Sequence, residues 1–380
     1  MEKLKIDTKR LHDELVSLRN YYSRSPRKDD LKNDYNAFKD LVSVYENLTG
    51  EEFKTDGLFP NKKKVEDMLD KSAIKMGSEM FKNIEDYFDF TYKTFCNFYN
   101  KNIQNILDVP YFAAMRRYNE KEFKDIILDY YSKYGNHEYE LAHKYFDEGR
   151  IQIGYPLWDA EGYHYSTIYG NIGYIVLSLN LLDSYCQNIL VHELGHAIDN
   201  SLVLSPLRKK IDYSDSLLEV PSSFFELGFT KFLKDNKIDV DGANIMFQDT
   251  FVGLRNSAIS IDALNDEVQK GYDILIDEEG ESTLSDGEVV QTHKIFTYGI
   301  SYYIALYLQC MLDGNYKEFM KDFYGFLANR DKLTLEESIN MLGINRDDFI
   351  KGNVIKPLVK ETNMELKRRF NLWWVVIILK

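Results

Sequence analysis

The sequence has few cysteines, no long apolar run and no excess of basic residues, and each absence excludes a class of protein. Its three cysteines, Cys96, Cys186 and Cys310, are odd in number and widely spaced, which excludes a disulfide framework and predicts a reducing, cytoplasmic location. No window reaches the ~20 apolar residues of a membrane helix, so no membrane partner is expected. Met1–Arg10 is too polar for a signal peptide. The apolar Leu372–Leu379 is too short to span a bilayer and is expected to be a docked C-terminal segment or an odd reading-frame end.

The charge balance excludes a second set of partners. The 61 acidic residues outnumber the 47 basic ones and give a net charge of −14, which disfavours binding to nucleic-acid backbones and anionic membranes. Hydrophobic residues make up 44% and charged residues 28% of the chain, which are the proportions of a soluble globular protein. The 380 residues suffice for one large domain or two modest ones with a sizeable core.

The order of patterns along the chain predicts a mainly α-helical protein with one small β element. Apolar residues recur at helical spacing from residue 1 to about 48, and a second helical region runs from about 65 to 145. Between them, Thr49–Lys64 contains two glycines and a proline and is predicted as a linker. Gly149–Asn180 is the only segment predicted as β, and the chain returns to helices after Asp183.

The most informative motif is the pentad His192-Glu193-Leu194-Gly195-His196. It lies in Ser184–Asn200, whose apolar residues predict a largely buried helix with Asp183 or Ser184 at its N-cap. Residues i and i+4 lie on one helix face, so His192 and His196 can hold one ion from the same side. Glu193 lies beside the first ligand and can take a proton from a water on the metal. The pattern therefore predicts the H-E-x-x-H helix of a zinc hydrolase.

The apolar surroundings of the pentad favour a metal site over a solvated helix face. Two histidines and a glutamate are costly to bury without a partner, and a metal supplies one. A catalytic zinc has three protein ligands and a water, so a third ligand must come from downstream. The best candidate is Glu219, which lies between apolar residues ahead of a phenylalanine-rich helix; Asp215 and Glu226 are alternatives. Three further residues are predicted to orient the ligands, namely Asp199, Ser223 and Glu226.

A short apolar and β-branched run precedes the pentad helix. Tyr174–Leu179 follows Gly173 and is predicted as a strand. An exposed strand edge can hydrogen-bond an extended peptide and lay its scissile carbonyl over the metal. Tyr174 and Val176 are therefore predicted to bind the substrate.

These residues resemble the thimet oligopeptidase and oligopeptidase F family of zinc metallopeptidases. That family pairs H-E-x-G-H with a third ligand in a segment like E-(V/A)-(P/A)-S-x-x-x-E, a little under thirty residues later. Here His192 and Glu219 are 27 residues apart, and Glu219-Val220-Pro221-Ser222 with Glu226 matches the segment position by position. The resemblance implies that His192, His196 and Glu219 bind one Zn²⁺.

The resemblance continues on both sides of the pentad, over roughly residues 80 to 360. Phe146–Ile151 with Gly162–Ser166 resembles the family's segment ahead of its substrate strand, and Gly173–Asn180 resembles that strand. Downstream, the segment from 293 to 303 resembles the region in which the family keeps a histidine and several tyrosines facing the zinc. By this resemblance, four residues are assigned there, with catalytic roles for His293, Tyr298 and Tyr302 and a substrate-binding role for Tyr303.

The family's architecture implies a two-lobed helical fold with a deep cleft and a small β-sheet beside the metal helix. The corresponding division is an N-terminal helical segment at 1–60, a catalytic domain at 61–365 and a tail at 366–380. Only 191 residues precede His192, fewer than is usual in the family. The N-terminal segment and the part of the lobe that covers the cleft are therefore expected to be reduced.

The resulting hypothesis is a zinc-dependent endopeptidase that hydrolyses internal bonds of oligopeptides. Zinc lowers the pKa of a bound water from about 15.7 towards about 7. Glu193 is the expected general base, and a tyrosine hydroxyl or His293 is expected to stabilise the oxyanion. Two alternatives remain open: a catalytically silent relative that binds peptides or a partner protein, and a protease dedicated to one protein substrate.

Overall fold

The computed structural model describes residues 4–24, 32–55, 84–99, 115–157, 160–167, 172–203, 215–272, 281–292, 294–312, 314–329 and 335–378. Most of these residues are helical and the strands form two small sheets, so the predicted mainly α-helical fold class is confirmed. The chain divides into two compact units, Met1–Lys71 with Arg117–Lys210 and Ser72–Arg116 with Ile211–Lys380.

The described residues form fourteen helices and five strands. In chain order these are α1 Thr8–Arg24, α2 Lys32–Thr49, α3 Ile84–Phe98, α4 Glu120–Ser132, α5 Asn136–Asp147, β1 Ile151–Ile153, β2 Gly162–Thr167, β3 Ile172–Leu177, α6 Ser184–Val203, α7 Asp215–Leu218, α8 Val220–Asp235, α9 Val240–Gln269, β4 Glu281–Thr283, β5 Val289–Gln291, α10 Ile300–Met311, α11 Tyr316–Asn329, α12 Leu335–Met341, α13 Arg346–Lys351 and α14 Lys356–Ile378. A π-helical turn, Lys294–Gly299, directly precedes α10.

The sheet of the first unit has the strand order β1-β3-β2, with β3 in the centre. β3 pairs in parallel with β1 and antiparallel with β2, where Tyr163 is opposite Val176. Tyr174 and Val176 belong to the buried core that α1 and α2 form. Helix α6 packs against β2 and β3, so the predicted small sheet beside the pentad helix is confirmed.

Local sequence explains where α6 begins. The side-chain Oδ1 of Asp183 accepts a hydrogen bond of 2.9 Å from the backbone N–H of Cys186, as an N-cap residue does. This bond satisfies one of the N–H groups that the first turn of a helix leaves without an internal partner. The predicted N-cap at Asp183 is therefore confirmed, and it marks the start of the helix that carries the pentad.

In the second unit, the predicted third ligand is followed directly by α8, a largely buried helix. Every side chain from Val220 to Thr230 is buried, and the helix packs against α9 and α10. Pro221 lies in the first turn, where its missing N–H costs no hydrogen bond. Glu219 is the residue immediately before this helix, as the sequence predicts.

A second sheet lies outside Gly149–Asn180, so the prediction that this was the only β segment is wrong. β4 and β5 form an antiparallel hairpin whose turn closes with a 2.8 Å hydrogen bond from Leu284 N–H to the Glu288 carbonyl. Gly287 occupies this turn at a φ of 89°, which favours glycine. Strands of three residues carry too little alternation to be recognised from sequence.

Helix α14 continues past residue 366, the predicted start of a tail. The predicted division at 60 and 365 stays a prediction. None of the helices that the structure describes combines the length and apolar character that a bilayer span requires.

Candidate metal centre

Helix α6 has one accessible stripe, and the two predicted histidine ligands lie on it. Between Ser184 and Asn200, every side chain is buried except the five half-buried residues Tyr185, Ile189, His192, His196 and Asn200. Their spacing of three or four residues places them in one row. The imidazole centroids of His192 and His196 are 5.1 Å apart and their planes are inclined at 79°. The sequence thus presents both rings towards the same side of the helix.

The predicted third ligand, Glu219, is held by the first turn of α8. Its side chain is only 7% exposed. The Ser222 hydroxyl lies 3.0 Å from both Oε2 and the backbone oxygen of Glu219, and that backbone oxygen also accepts from the N–H of Ser223 at 3.0 Å. The positive end of the α8 dipole favours a carboxylate at this position. These contacts tie Glu219 to the first turn of α8.

The structure brings the three predicted ligands together. The ligand atoms offered by His192, His196 and Glu219 all lie within 4.8 Å of one another. In a tetrahedral zinc site with bonds of roughly 2.0–2.2 Å, ligand atoms are about 3.4 Å apart, so small side-chain movements close the set around an ion. Two imidazole nitrogens and one carboxylate oxygen also form the donor set of a catalytic zinc with a vacant fourth position. The residues present therefore fit one Zn²⁺.

Glu193, the predicted general base, is covered by the backbone of β2. Its side chain is 6% exposed. A β-carbon at Gly162 would lie 2.8 Å from Oε1 and 3.1 Å from Cγ of Glu193, closer than ordinary contact. Only glycine allows this strand to lie directly on the carboxylate. This role of Gly162 could not be predicted from the sequence, because no residue near it in the chain reveals that it contacts Glu193.

Strand β2 and helix α6 run side by side in the same direction. Gly162 contacts Glu193, and four residues later Ser166 Oγ accepts a 2.9 Å hydrogen bond from Asn200 Nδ2. Between them, His164 Nε2 lies 2.7 Å from the Tyr145 hydroxyl. The pKa of His164 is lowered to about 3 by burial, with a smaller effect from His196. His164 is therefore a neutral hydrogen-bonding group.

The pairing of β3 corrects the prediction that Tyr174 and Val176 bind substrate. Both side chains are fully buried, and β3 is paired along one edge with β1 and along the other with β2. The Tyr174 hydroxyl donates to Glu14 Oε2 at 2.7 Å, and the Arg150 guanidinium lies 5.1 Å from the ring centroid. These residues hold the sheet on its core, so we withdraw their assignment to the substrate.

The sheet has two edge strands, β1 and β2. The outer side of β1 is bonded to residues near the N-terminus, since the Ile153 N–H donates to the Leu4 carbonyl at 3.1 Å, and this leaves the outer side of β2. No strand among the described residues pairs with the side of β2 that faces away from β3. Ser178 N–H donates to the Glu161 carbonyl, which makes the odd-numbered residues of β2 the ones bonded to β3. The N–H and C=O groups of Gly162, His164 and Ser166 consequently point towards the unpaired edge.

The tyrosines assigned by resemblance have different surroundings. Tyr302 is half-buried and donates a 2.7 Å hydrogen bond to Glu226 Oε2. Tyr298 is 40% exposed on the π-helical turn. Tyr303 is fully buried and donates to the Phe349 carbonyl at 2.6 Å, and burial raises the pKa of its hydroxyl. We withdraw Tyr303 as a substrate-binding residue, whereas Tyr298 and Tyr302 stay predictions. His293 lies outside the described residues.

The three residues predicted to orient the ligands are all buried. Asp199 is 2% exposed on α6, and Ser223 and Glu226 are 0% and 8% exposed on α8. Buried carboxylates need hydrogen-bonding partners, and Glu226 has one in Tyr302. That these three residues orient the metal ligands stays a prediction.

No protein-family model matches the chain, and no curated protein matches it. Among solved structures, the chain is similar to a "putative oligoendopeptidase F" from Bacillus anthracis str. Ames, with 11% identity and a TM-score of 0.48 over 96% of this chain and 75% of that one. It is also similar to a "putative peptidase" from Chlamydophila abortus, with 13% identity and a TM-score of 0.43 over 92% of this chain and 63% of that one. Because both TM-scores lie below 0.5, they assign neither a family nor an activity to this chain.

Proposed function

We propose that this protein is a zinc-dependent endopeptidase that hydrolyses internal bonds of oligopeptides. The observation that carries the proposal is the grouping of His192, His196 and Glu219, with ligand atoms within 4.8 Å of one another. Glu193, the carboxylate next to the first of these histidines, lies against the strand with an unpaired edge. A metal donor set, a base and a peptide-binding edge are the three parts that this reaction needs.

The chain's own residues account for proton movement. When bound, Zn²⁺ acts as a Lewis acid and lowers the pKa of a coordinated water to about 7. Glu193 accepts the proton of the attacking water and then delivers it to the nitrogen of the leaving amine. Because the Gly162 backbone covers the buried Glu193 side chain, the orientation of the Glu193 carboxylate is restricted.

We assign substrate binding to the edge of β2 in place of β3. An extended peptide that pairs with Gly162, His164 and Ser166 becomes the next strand of the sheet. Main-chain hydrogen bonds of this kind do not depend on substrate sequence. Because Gly162 contacts Glu193, such a peptide passes beside the proposed base.

The hydroxyls of Tyr298 and Tyr302 are proposed donors to the developing oxyanion. One such donor is typically worth about 3 to 4 kcal/mol of transition-state stabilisation. The Tyr302 hydroxyl donates to Glu226 in this structure, so it must turn from that carboxylate to serve the substrate. Tyr302→Phe is expected to reduce kcat more than it changes KM.

The test is cleavage of a mixed peptide pool followed by mass spectrometry, together with the zinc content of each protein. The wild type is expected to cleave, whereas Glu193→Gln is expected to bind zinc at the same stoichiometry and cleave nothing. His192→Ala, His196→Ala and Glu219→Ala are expected to lose zinc. Glu140→Gln, which removes an exposed carboxylate from α5, is the matched control.

Cleavage by the Glu193→Gln protein would overturn the assignment of the base. Full zinc binding by the wild type without cleavage of any peptide would favour a peptide-binding relative instead. Cleavage of folded proteins but not of short peptides would favour a protease dedicated to one protein substrate.

A further inference from the structure

An exposed carboxylate lies at the start of the proposed peptide-binding edge. Glu161 immediately precedes Gly162, the residue that contacts the proposed base, and it is exposed. The Tyr185 hydroxyl, on the accessible stripe of α6, donates a hydrogen bond to Glu161 Oε2. The Glu161 backbone carbonyl accepts the N–H of Ser178 at 2.9 Å, which ties this residue to β3. Both the main chain and the side chain of Glu161 are therefore fixed.

The parallel course of β2 and α6 gives the edge two chemically different ends. Towards the end of β2, the groups are neutral: the Asn200 amide, the Ser166 hydroxyl and the His164 imidazole. At its start, the accessible groups are the Glu161 carboxylate, the Tyr185 phenol and the half-buried Ile189 side chain, while the proposed base Glu193 is buried against Gly162. A peptide on this edge thus meets an exposed negative charge at one end only.

The distance from this charge to the metal ligands sets the substrate position that it contacts. Tyr185 precedes His192 by seven residues, which is roughly 10 Å along a helix axis at 1.5 Å per residue. An extended peptide advances about 3.3 Å per residue. The Glu161 main chain lies one residue before Gly162 and its carboxylate reaches towards Tyr185, so the charge lies roughly two to three residues of extended peptide from the bond beside the ligands.

We propose that Glu161, held by Tyr185, is a substrate-binding residue that selects a lysine or arginine side chain two or three residues from the cleaved bond. This proposal rests on the proposed peptidase function. A carboxylate can accept several hydrogen bonds, so the bond from Tyr185 leaves capacity for an ammonium or guanidinium group.

The rest of the subsite suits the apolar stem of such a side chain. Lysine and arginine bury their methylene groups along apolar surface while the charge stays accessible, and Ile189 and the Tyr185 ring supply that surface. The net charge of −14 also attracts cationic peptides over longer distances. Because Glu161 is exposed, the preference is expected to be modest, about three- to fivefold at low ionic strength.

The test uses a peptide that the wild type cleaves, with each of the three residues on either side of the bond replaced in turn by Lys, Gln or Glu. The ratio of kcat/KM for the Lys and Gln peptides is measured in mixtures. At one position, the wild type is expected to favour Lys about three- to fivefold. Glu161→Gln, whose amide oxygen can still accept from Tyr185, is expected to bring the ratio to about one, and Glu161→Lys is expected to reverse it in favour of Glu.

Glu140→Gln removes the same charge from α5 and is expected to keep the wild-type ratio, which separates the local effect from net charge. An unchanged Lys preference in Glu161→Gln, or no Lys preference at any position, would overturn the subsite while leaving the peptidase intact. Binding of fluorescein-labelled Lys and Gln peptides to the zinc-loaded Glu193→Gln protein is measured in parallel. If the wild type cleaves nothing, a Glu161-dependent binding ratio supports the subsite and an absent one overturns it.

Discussion

Replacement of Gly162 by alanine perturbs the contact between the proposed base and the strand. The new β-carbon would lie 2.8 Å from Glu193 Oε1 and 2.8 Å from Leu177 Cδ2, where ordinary contact begins at 3.4 Å. The Glu193 carboxylate must therefore retreat by roughly 0.6 Å, or the strand must shift by a similar amount. Overpacking of this kind typically costs about 1–3 kcal/mol of unfolding free energy.

The effect on turnover should exceed the effect on zinc binding. A misplacement of about 1 Å in a catalytic group can cost about a hundredfold in rate, so we expect kcat to fall by about ten- to a hundredfold in Gly162→Ala. The zinc ligands are different residues, so zinc content should stay at the wild-type stoichiometry. Steady-state cleavage of a peptide identified from the pool, zinc analysis and denaturant unfolding measure the three quantities.

A matched glycine provides the control. No heavy atom lies within 4 Å of a β-carbon built at Gly253, in the interior of α9. Gly253→Ala should therefore raise stability by about 0.5–1 kcal/mol and leave kcat unchanged. A folded, zinc-loaded Gly162→Ala protein with wild-type kcat would refute the assignment of Glu193 and Gly162 to one site. In the double variant with Glu193→Asp, the losses should be less than additive because the two residues are in contact.

Two further predictions test individual side chains. Tyr303→Phe removes the 2.6 Å hydrogen bond to the buried Phe349 carbonyl, which still accepts the Gly352 N–H at 3.1 Å. The substitution should cost about 0.5–1.5 kcal/mol in denaturant unfolding and leave KM unchanged. A raised KM at full stability would restore Tyr303 as a substrate residue. Burial raises the pKa of the Glu138 carboxyl above its ordinary value of 4.5, because the charged form is disfavoured inside the protein. The folded state therefore binds the carboxyl proton more tightly than the unfolded state does. The resulting stabilisation is complete below the unfolded-state pKa and is lost as pH rises through the folded-state pKa. Glu138→Gln should therefore raise the Tm at neutral pH relative to the wild type, and the difference should shrink below the unfolded-state pKa; a lower Tm at neutral pH would contradict this account.

Features that depend on residues close together in the chain could be predicted from the sequence. The spacing of His192 and His196 places both rings on one helix face, and Asp183 caps that helix through a bond to Cys186. Glu219 lies before a helix whose first turn accepts Pro221. Each of these relationships spans four residues or fewer, so helix geometry alone determines it.

Predictions that depended on contacts with residues far away in the chain were wrong. The run from Tyr174 to Leu177 is a strand as predicted, but its alternation does not reveal that both edges are paired. A fully buried central strand and a substrate-binding edge strand have similar apolar sequences. Tyr303 likewise resembles a substrate residue in sequence, whereas its packing against Phe95, Phe98 and Phe349 makes it part of the core.

The sequence by itself therefore determined the helical fold class, the start of the pentad helix, the shared helix face of His192 and His196, and the types of ligand atom. These follow from periodicity, local capping and residue identity. Only the tertiary structure decided that β3 is paired on both sides, that β2 is an edge strand and that Gly162 covers Glu193. It also decided which of the predicted residues are accessible. These properties arise from contacts between segments far apart in the chain, where the burial of apolar surface and the pairing of strands select one arrangement among many.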